Sequence, residues 1–420
     1  MQDRTKAVHS GNVKNTGYTV ATPIYQTTAF EFDSAEHGAN LFALKELGNI
    51  YTRLSNPTTD IFEKKVAELE GGVIALGASS GQAAIFYSIV NVAEVGDNIV
   101  VSNKLYGGTS NLFHYTLKRF GIEARVYEND NPEEIEGLID EKTKAIYFES
   151  LSNPQISISD IEAITTIAKK HRIVTICDNT VATPILCKPI EYGVDVVVHS
   201  ASKYIGGQGT ALGGVVVERD GMSEFFRDNP RYSHFYTPDY SYHGLIYTEC
   251  GLPPFCIRLR LSLLRDIGAA PSPFNSWLFI SGLETLSIRM KSVSSSALEV
   301  AKFLEEHAKV KSVRYPGLES YYRSELAQKY LVDTQGSGLV SFELGSYEDA
   351  KKVMDRIEIF KTAVNIGDSK SIITHPASMT HQQLSSEQLK SAGIGEGQIR
   401  LSIGLEDSRD LVDDLSKALS

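Results

Sequence analysis

The chain has 420 residues, of which 42% are hydrophobic and 22% are charged, and its formal net charge is −11. This length predicts two to three domains, and the composition excludes a disordered chain, a collagen and a disulfide-built miniprotein. The acidic balance argues against nucleic acid as a partner, because phosphate binding needs a basic face.

The beginning of the chain, MQDRTKAVHSGNVKNTG, lacks the apolar core of a signal peptide. The longest uncharged run, residues 71–93, is broken by Gly, Ser, Gln and Asn, so we expect no membrane span. The four cysteines form no Cys-x-x-Cys pair, and no histidines accompany them at zinc-finger spacing. Together these features predict a cytoplasmic protein with reduced thiols and no bound metal.

Residues 1 to about 55 are polar and weakly periodic, which is typical of an arm that packs on another part of the assembly. The first predicted helix has Asn56 as its cap and Pro57 in its first turn, and it ends at Gly71. A later helix is predicted from a capping box, Ser159 to Glu162, to about residue 171.

Short β-branched runs alternate with helical stretches through the middle of the chain. This pattern predicts an α/β fold with a parallel sheet, whose ligand binds at the carboxyl ends of the strands. The predicted strands are IVV (99–101), ARVYE (124–128), KAIYFES (144–150), IVTICD (173–178), VDVVVHS (194–200) and GGVVVE (213–218).

The pattern breaks down over 219–275, which is rich in aromatic residues, Pro and Gly. This composition predicts an ordered insertion near a site or a subunit contact. From about residue 284 we predict a smaller α+β domain. Its predicted elements are a helix at 296–307, strands at 310–314 and 338–344, a helix at 346–357, the strand QIRLSIG and a terminal helix.

Lys203 follows a predicted buried strand in the segment SASKYIGG. Burial would make its amine nucleophilic enough to form an imine, and Ser200 and Ser202 are placed to donate to a phosphate. Asp178 ends the preceding strand, where its carboxylate can bond a ring nitrogen. An exposed lysine and a turn-capping aspartate are the alternatives, but the pair matches the protein's part of pyridoxal 5′-phosphate (PLP) chemistry.

Other polar positions are candidates for the same site. Ser79 or Ser80 can cap a helix, so the amides of Gly81 and Gln82 could form an anion site, and a tight strand-to-helix turn is the alternative. Tyr106 follows a strand and could stack on a flat ring, while Arg53 in the arm could reach a phosphate of a neighbouring subunit. Arg400 lies in an apolar strand and needs a partner, either a substrate carboxylate or an internal salt bridge.

The order of eight segments resembles the Cys/Met-metabolism family of PLP-dependent enzymes, which have fold type I. These segments are YTRLSNPTT, SSGQAA, YGGT, FESLSNP, DNT, HSASKYIGG, GLETLSIRM and RLSIGLED. The resemblance implies an arm at 1–62 that contacts a neighbouring subunit. It further implies a PLP-binding domain at 63–283 with the insertion at about 219–265, a C-terminal domain at 284–420, and a homotetramer built from two dimers.

The resemblance also implies residue roles. Lys203 would bind PLP covalently and move protons, Asp178 would bond the pyridine nitrogen, and Tyr106 would stack on the ring. The remaining cofactor-binding residues would be Gly81, Gln82, Thr180, Ser200 and Ser202, with Tyr51 and Arg53 from the neighbouring subunit. The substrate would be bound by Arg400, Asn153 and Asn365.

Within the family the chain is most similar to O-acetylhomoserine sulfhydrylases, because of its length, its insertion and its segment 363–384. The implied reaction is γ-replacement, in which O-acetyl-L-homoserine and sulfide or a thiol give homocysteine and acetate. Two departures are Ser202, where many relatives have threonine, and Gln208, where many have histidine. The alternatives are cystathionine γ-synthase, O-succinylhomoserine sulfhydrylase, methionine γ-lyase, a non-catalytic nucleotide-binding protein and a structural protein with a degenerate site.

Overall fold

The computed structural model describes residues 1–12, 14, 17–382 and 386–420. Its larger sheet has seven strands in the order β1-β7-β6-β5-β4-β2-β3. The strands are Ile74–Ala78 (β1), Asn98–Ser102 (β2), Glu123–Tyr127 (β3), Thr143–Glu149 (β4), Val174–Asp178 (β5), Val196–His199 (β6) and Gly214–Glu218 (β7).

The larger sheet is mostly parallel. Strands β3, β2, β4, β5 and β6 pair in parallel, whereas β7 pairs antiparallel with both β6 and β1. Buried helices cover both faces, so the predicted α/β class and all six predicted strands are confirmed. Strand β1 was not predicted from the sequence.

The second sheet has five strands in the order β10-β11-β12-β9-β8. Its strands are short, and Lys361–Thr362 and Ile372–Thr374 were not predicted. They are Ser312–Arg314 (β8), Leu339–Glu343 (β9), Lys361–Thr362 (β10), Ile372–Thr374 (β11) and Gln398–Ser402 (β12).

The α-helices fall between these strands. They are Asp3–His9 (α1), Ala35–Phe42 (α2), Pro57–Glu70 (α3), Gly81–Val90 (α4), Gly107–Asn111 (α5), Leu117–Arg119 (α6), Glu134–Leu138 (α7), Ile161–Lys170 (α8), Thr183–Leu186 (α9), Met222–Phe226 (α10), Pro254–Arg258 (α11), Arg265–Ile267 (α12), Pro273–Glu306 (α13), Ser324–Tyr330 (α14), Tyr347–Arg356 (α15), Ser386–Ser391 (α16) and Ser408–Leu419 (α17). Helix α13 packs against α3 on one side and α17 on the other, and the predicted boundary at 283/284 lies inside it. The domain ranges therefore stay a prediction.

Helix α3 follows its sequence signals, whereas the predicted helix at 296–307 is only the last part of α13, which begins at Pro273. Asn56 caps α3 through the amide of Thr58, and Gly71 ends it in the left-handed region with φ 79°. The predicted capping box of α8 was wrong, because Asp160 rather than Ser159 accepts from the amide of Ala163. The Ser159 hydroxyl instead donates to Asn129 and to the carbonyl of Glu149, which ties the loop after β4 to the sheet.

The insertion is ordered and packs on one face of the larger sheet. The rings of Phe226 and Phe235 stack with centroids 3.9 Å apart, and the hydroxyl of buried Tyr232 donates to the carbonyl of Lys144. No helix in the described part of the chain has the length and apolar character to cross a bilayer.

Candidate active site

A cavity of about 210 Å³ lies at the carboxyl ends of β4, β5 and β6. Segments 364–366 and Arg400 of the smaller sheet close it from the other side. Eleven of the predicted site residues line this cavity: Gly81, Gln82, Tyr106, Asn153, Asp178, Thr180, Ser200, Ser202, Lys203, Asn365 and Arg400.

Lys203 projects its amine toward the smaller sheet. Its Nζ donates to Oδ1 of Asn365 at 2.7 Å. Burial, and secondarily the positive charge of Arg400, lowers the pKa of Lys203 to about 8. A substantial share of the amine is therefore neutral near physiological pH, as a nucleophile or a base requires.

Hydrogen bonds through Thr180 connect Asp178 to the loop after β6, which carries Lys203. Its Oδ1 accepts from the amide of Thr180 at 2.9 Å, and Thr180 Oγ1 accepts from the amide of Ser200 at 2.8 Å. Burial raises the pKa of Asp178, although the Thr180 bonds oppose the shift. No Lys or Arg of the described residues lies within 4 Å of its carboxylate, so a bound cationic ring nitrogen would find an unpaired partner.

The start of α4 forms a cradle with the loop after β6. Ser80 caps the helix by accepting from the amide of Ala83, and the first amides of a helix have no acceptor within it. A Cβ on Gly81 would lie 2.6 Å from Cβ of Ser200, so only glycine permits this approach. The Ser202 hydroxyl is already bonded to the backbone of Gly213.

Arg400 is only 2% exposed, yet it has no carboxylate partner within 4 Å among the described residues. Its guanidinium donates to Asn153 Oδ1 at 3.0 Å, and to the Asn365 carbonyl and Thr374 Oγ1 at 2.9 Å. Its Nε is buried without a hydrogen-bond partner. A buried unpaired donor is costly, so this atom is suited to a carboxylate that arrives with the substrate.

The sequence reasoning missed Glu149, the last residue of β4, which also lines the cavity. Its Oε1 accepts from the amide of Tyr106 at 2.6 Å. The available signal was the one used for Asp178, a carboxylate at the carboxyl end of a predicted buried strand.

Tyr51 and Arg53 do not line the cavity of their own chain. Both are exposed in the N-terminal arm, where the Arg53 guanidinium lies 5.1 Å from the centre of the Tyr51 ring. Their predicted contribution to a neighbouring subunit's phosphate site stays a prediction.

The residues present fit PLP. The cavity combines a lysine amine of lowered pKa, a carboxylate without a cation, the start of a helix for a phosphate, and an arginine with a free buried donor. These are the protein groups that PLP chemistry needs.

The chain belongs to the Cys/Met metabolism PLP-dependent enzyme family, which it matches over residues 4–420. It is 44% identical to an O-acetyl-L-homoserine sulfhydrylase of Leptospira meyeri, over 99% of this chain and 96% of the relative. It is 41% identical to a homocysteine synthase of Schizosaccharomyces pombe, over 95% and 93% of the two chains.

The crystal structure of a Campylobacter jejuni protein, described provisionally as an O-acetylhomoserine (thiol)-lyase, matches with a TM-score of 0.99. That protein is 51% identical, the match covers 100% of both chains, and it carries a pyridoxyl-lysine monophosphate at its position 205. The family assignment makes this chain a PLP-dependent enzyme that acts on small molecules.

Proposed function

We propose that this enzyme catalyses PLP-dependent γ-replacement, converting O-acetyl-L-homoserine and sulfide to L-homocysteine and acetate in methionine biosynthesis. The observation that carries the proposal is the cavity, which Lys203 and Arg400 both line. The choice of substrate is supported by the relatives of that name, which align over nearly their whole length.

Arg400 and Asn153 bind the substrate's α-carboxylate. The guanidinium brings a positive charge and a free donor, while Asn153 Oδ1 holds its orientation through the 3.0 Å bond. When PLP is bound, Tyr106 would stack on its ring, and Gly81, Gln82, Ser200 and Ser202 would bind its phosphate. This arrangement fixes the substrate's Cα–H bond within reach of Lys203.

PLP, when bound, supplies an electron sink for the negative charge that develops at the substrate's Cα. Asp178 keeps that sink effective because its carboxylate favours a protonated pyridine nitrogen. Lys203 would hold the cofactor before substrate arrives, and its amine, once released, would take the Cα proton. Its pKa of about 8 lets the same group accept and return a proton near neutral pH.

Asn365 accepts a hydrogen bond from Lys203 through its side chain and one from Arg400 through its carbonyl. It therefore couples the position of the proton-transferring amine to that of the carboxylate-binding guanidinium.

In the overall replacement, the bond between Cγ of the substrate and acetate breaks, and a bond between Cγ and the sulfur of sulfide forms.

We infer a cytoplasmic homotetramer built from two dimers, in which the arm at 1–62 reaches the neighbouring subunit. The exposed positions of Tyr51 and Arg53 support this arrangement, because neither residue serves the cavity of its own chain. A small thiol or a protein-borne sulfur would be an alternative donor.

The test is to incubate purified enzyme with O-acetyl-L-homoserine and either sulfide or cysteine, and to identify the products. Homocysteine with sulfide and little cystathionine with cysteine is the expected result. Cystathionine as the main product would move the enzyme to the cystathionine γ-synthase activity. A preference for the succinyl ester, or elimination without added thiol, would support the other rivals.

A further inference from the structure

Glu149 and Asp178 lie side by side at the ends of neighbouring strands. They are paired in register between β4 and β5, and side chains paired in this way point to the same face of a sheet. Both line the cavity, and no Lys or Arg of the described residues lies within 4 Å of either carboxylate. Two buried carboxylates on directly paired residues do not both ionise readily.

The Glu149 carboxyl also joins two parts of the site. Its Oε1 accepts from the amide of Tyr106 at 2.6 Å, and its Oε2 accepts from the amide of Asn153 at 3.2 Å. Tyr106 directly precedes α5, and Asn153 accepts a hydrogen bond from Arg400. One side chain that is 4% exposed thus fixes the residue proposed to stack on the ring and a residue proposed to bind the substrate.

Burial and the neighbouring carboxylate of Asp178 favour the neutral form of Glu149. Burial raises the pKa of Glu149 well above its usual range, and the negative charge of Asp178 raises it further, while the two backbone amides oppose the shift. Tyr147, on the same face of β4, donates to Asp178 Oδ2 at 3.4 Å and so supports the charge on Asp178. Together with the Thr180 amide, this contact favours the negative charge of the pair on Asp178 and the proton on Glu149.

We propose that Glu149 is a protonated positioning residue, which holds Tyr106 and Asn153 in place and leaves the single negative charge of the pair on Asp178. The inference rests on the proposed function only for the identity of the amino-acid substrate. The protonation state and the positioning role concern the holoenzyme itself and can be measured without turnover.

The first measurement is the infrared difference spectrum between the wild-type holoenzyme and Glu149→Gln near neutral pH. We expect the variant to lose the carbonyl stretch of one protonated carboxylic acid. Loss of a carboxylate band instead would overturn the proposal. Glu218→Gln is the matched control, because Glu218 is buried, accepts from the amides of Phe255 and Cys256 and lies outside the cavity.

The control also calibrates the method. Burial raises the pKa of Glu218 to about 8, so Glu218→Gln should lose a protonated-acid band of the same kind. Its cofactor spectrum and its affinity for substrate should stay unchanged. A comparable loss of thermal stability in the two variants would separate the general cost of a buried amide from effects on the site.

The second measurement is the dissociation constant of O-acetyl-L-homoserine, followed by the change in cofactor absorption on binding. Glutamine can accept from only one of the two amides, so Glu149→Gln should bind about tenfold more weakly, as expected for one buried hydrogen bond. Glu149→Asp keeps the acid but is too short for both contacts, so it should keep the infrared band and bind still more weakly.

Unchanged binding in both variants would overturn the positioning role. If O-acetyl-L-homoserine perturbs the spectrum of neither wild type nor variants, the proposed substrate fails. The binding series is then repeated with O-succinyl-L-homoserine and L-methionine as probes, while the infrared result stands by itself.

Discussion

Buried charged residues lie at both ends of the parallel strands of the larger sheet. We call the end where these strands begin the amino edge and the end where they finish the carboxyl edge. The charges at the two edges differ in their partners. At the amino edge, Asp195 accepts from Arg219 at 2.7 Å and from the Thr175 amide at 2.8 Å. At the carboxyl edge, Asp178 has no cation within 4 Å among the described residues, and Arg400 keeps an unpaired Nε. Unpaired buried charges are costly, so Asp178 and Arg400, which line one cavity, are suited to bind a charged ligand.

The largest expected effect is that of Lys203→Ala at the carboxyl edge. Removing the amine should abolish turnover and covalent PLP loading, because the described cavity offers no second lysine. Loss of the yellow colour after dialysis and the absence of homocysteine would check this. Turnover at the wild-type level would contradict the mechanism.

Asp178→Asn replaces the buried carboxylate at the carboxyl edge with a neutral amide. The amide cannot favour a protonated ring nitrogen, so kcat should fall about a hundredfold or more while PLP is still bound. The matched variant is Asp195→Asn at the amino edge, which should lower the free energy of unfolding by about 1–3 kcal/mol and leave kcat nearly unchanged. Equal kinetic losses in both variants would remove the distinction between the edges.

Arg400→Lys tests the unpaired donor. A lysine keeps the charge but loses the planar guanidinium and its free Nε, so KM for O-acetyl-L-homoserine should rise about ten- to a hundredfold. A smaller change in kcat is expected, because the carboxylate does not take part in the proton transfers. Steady-state kinetics with varied substrate and saturating sulfide provide the measurement.

The smallest effect is the pH dependence of PLP loading into the apoenzyme. Only the neutral amine of Lys203 reacts, and its pKa is about 8, so the rate should rise about tenfold per pH unit below that value and level off above it. A solvated lysine would keep the rate rising to about pH 10. Arg400→Gln should move the curve to higher pH, because Arg400 helps to lower this pKa.

Much of the fold followed from the sequence because its signals are local. Runs such as IVTICD are too apolar for any place but a buried strand, and Asn56 and Gly71 mark helix ends by their own chemistry. Strands β10 and β11 have only two and three residues, which is too short for periodicity to be visible. The cap of α8 was misplaced because tertiary contacts with Asn129 and Glu149 use the Ser159 hydroxyl.

The individual residues of the site were predicted more fully than the contacts between them. The sequence predicted Lys203, Asp178 and Arg400 as site residues. Charged residues in or directly after apolar strands are rarely buried without a binding partner. The contact between Lys203 and Asn365 joins residues 162 positions apart, and no local pattern reveals it. Glu149 had the same local signal as Asp178 and was overlooked, whereas its register with Asp178 is defined only by the paired strands.

The most direct test of Lys203 as the PLP-binding residue is to reduce the holoenzyme with borohydride and locate the modified lysine by peptide mass spectrometry. We predict a pyridoxyl phosphate group on Lys203, at the carboxyl edge of the larger sheet. A pyridoxyl group on a different lysine, or none at all, would contradict the assignment of that edge as the cofactor site.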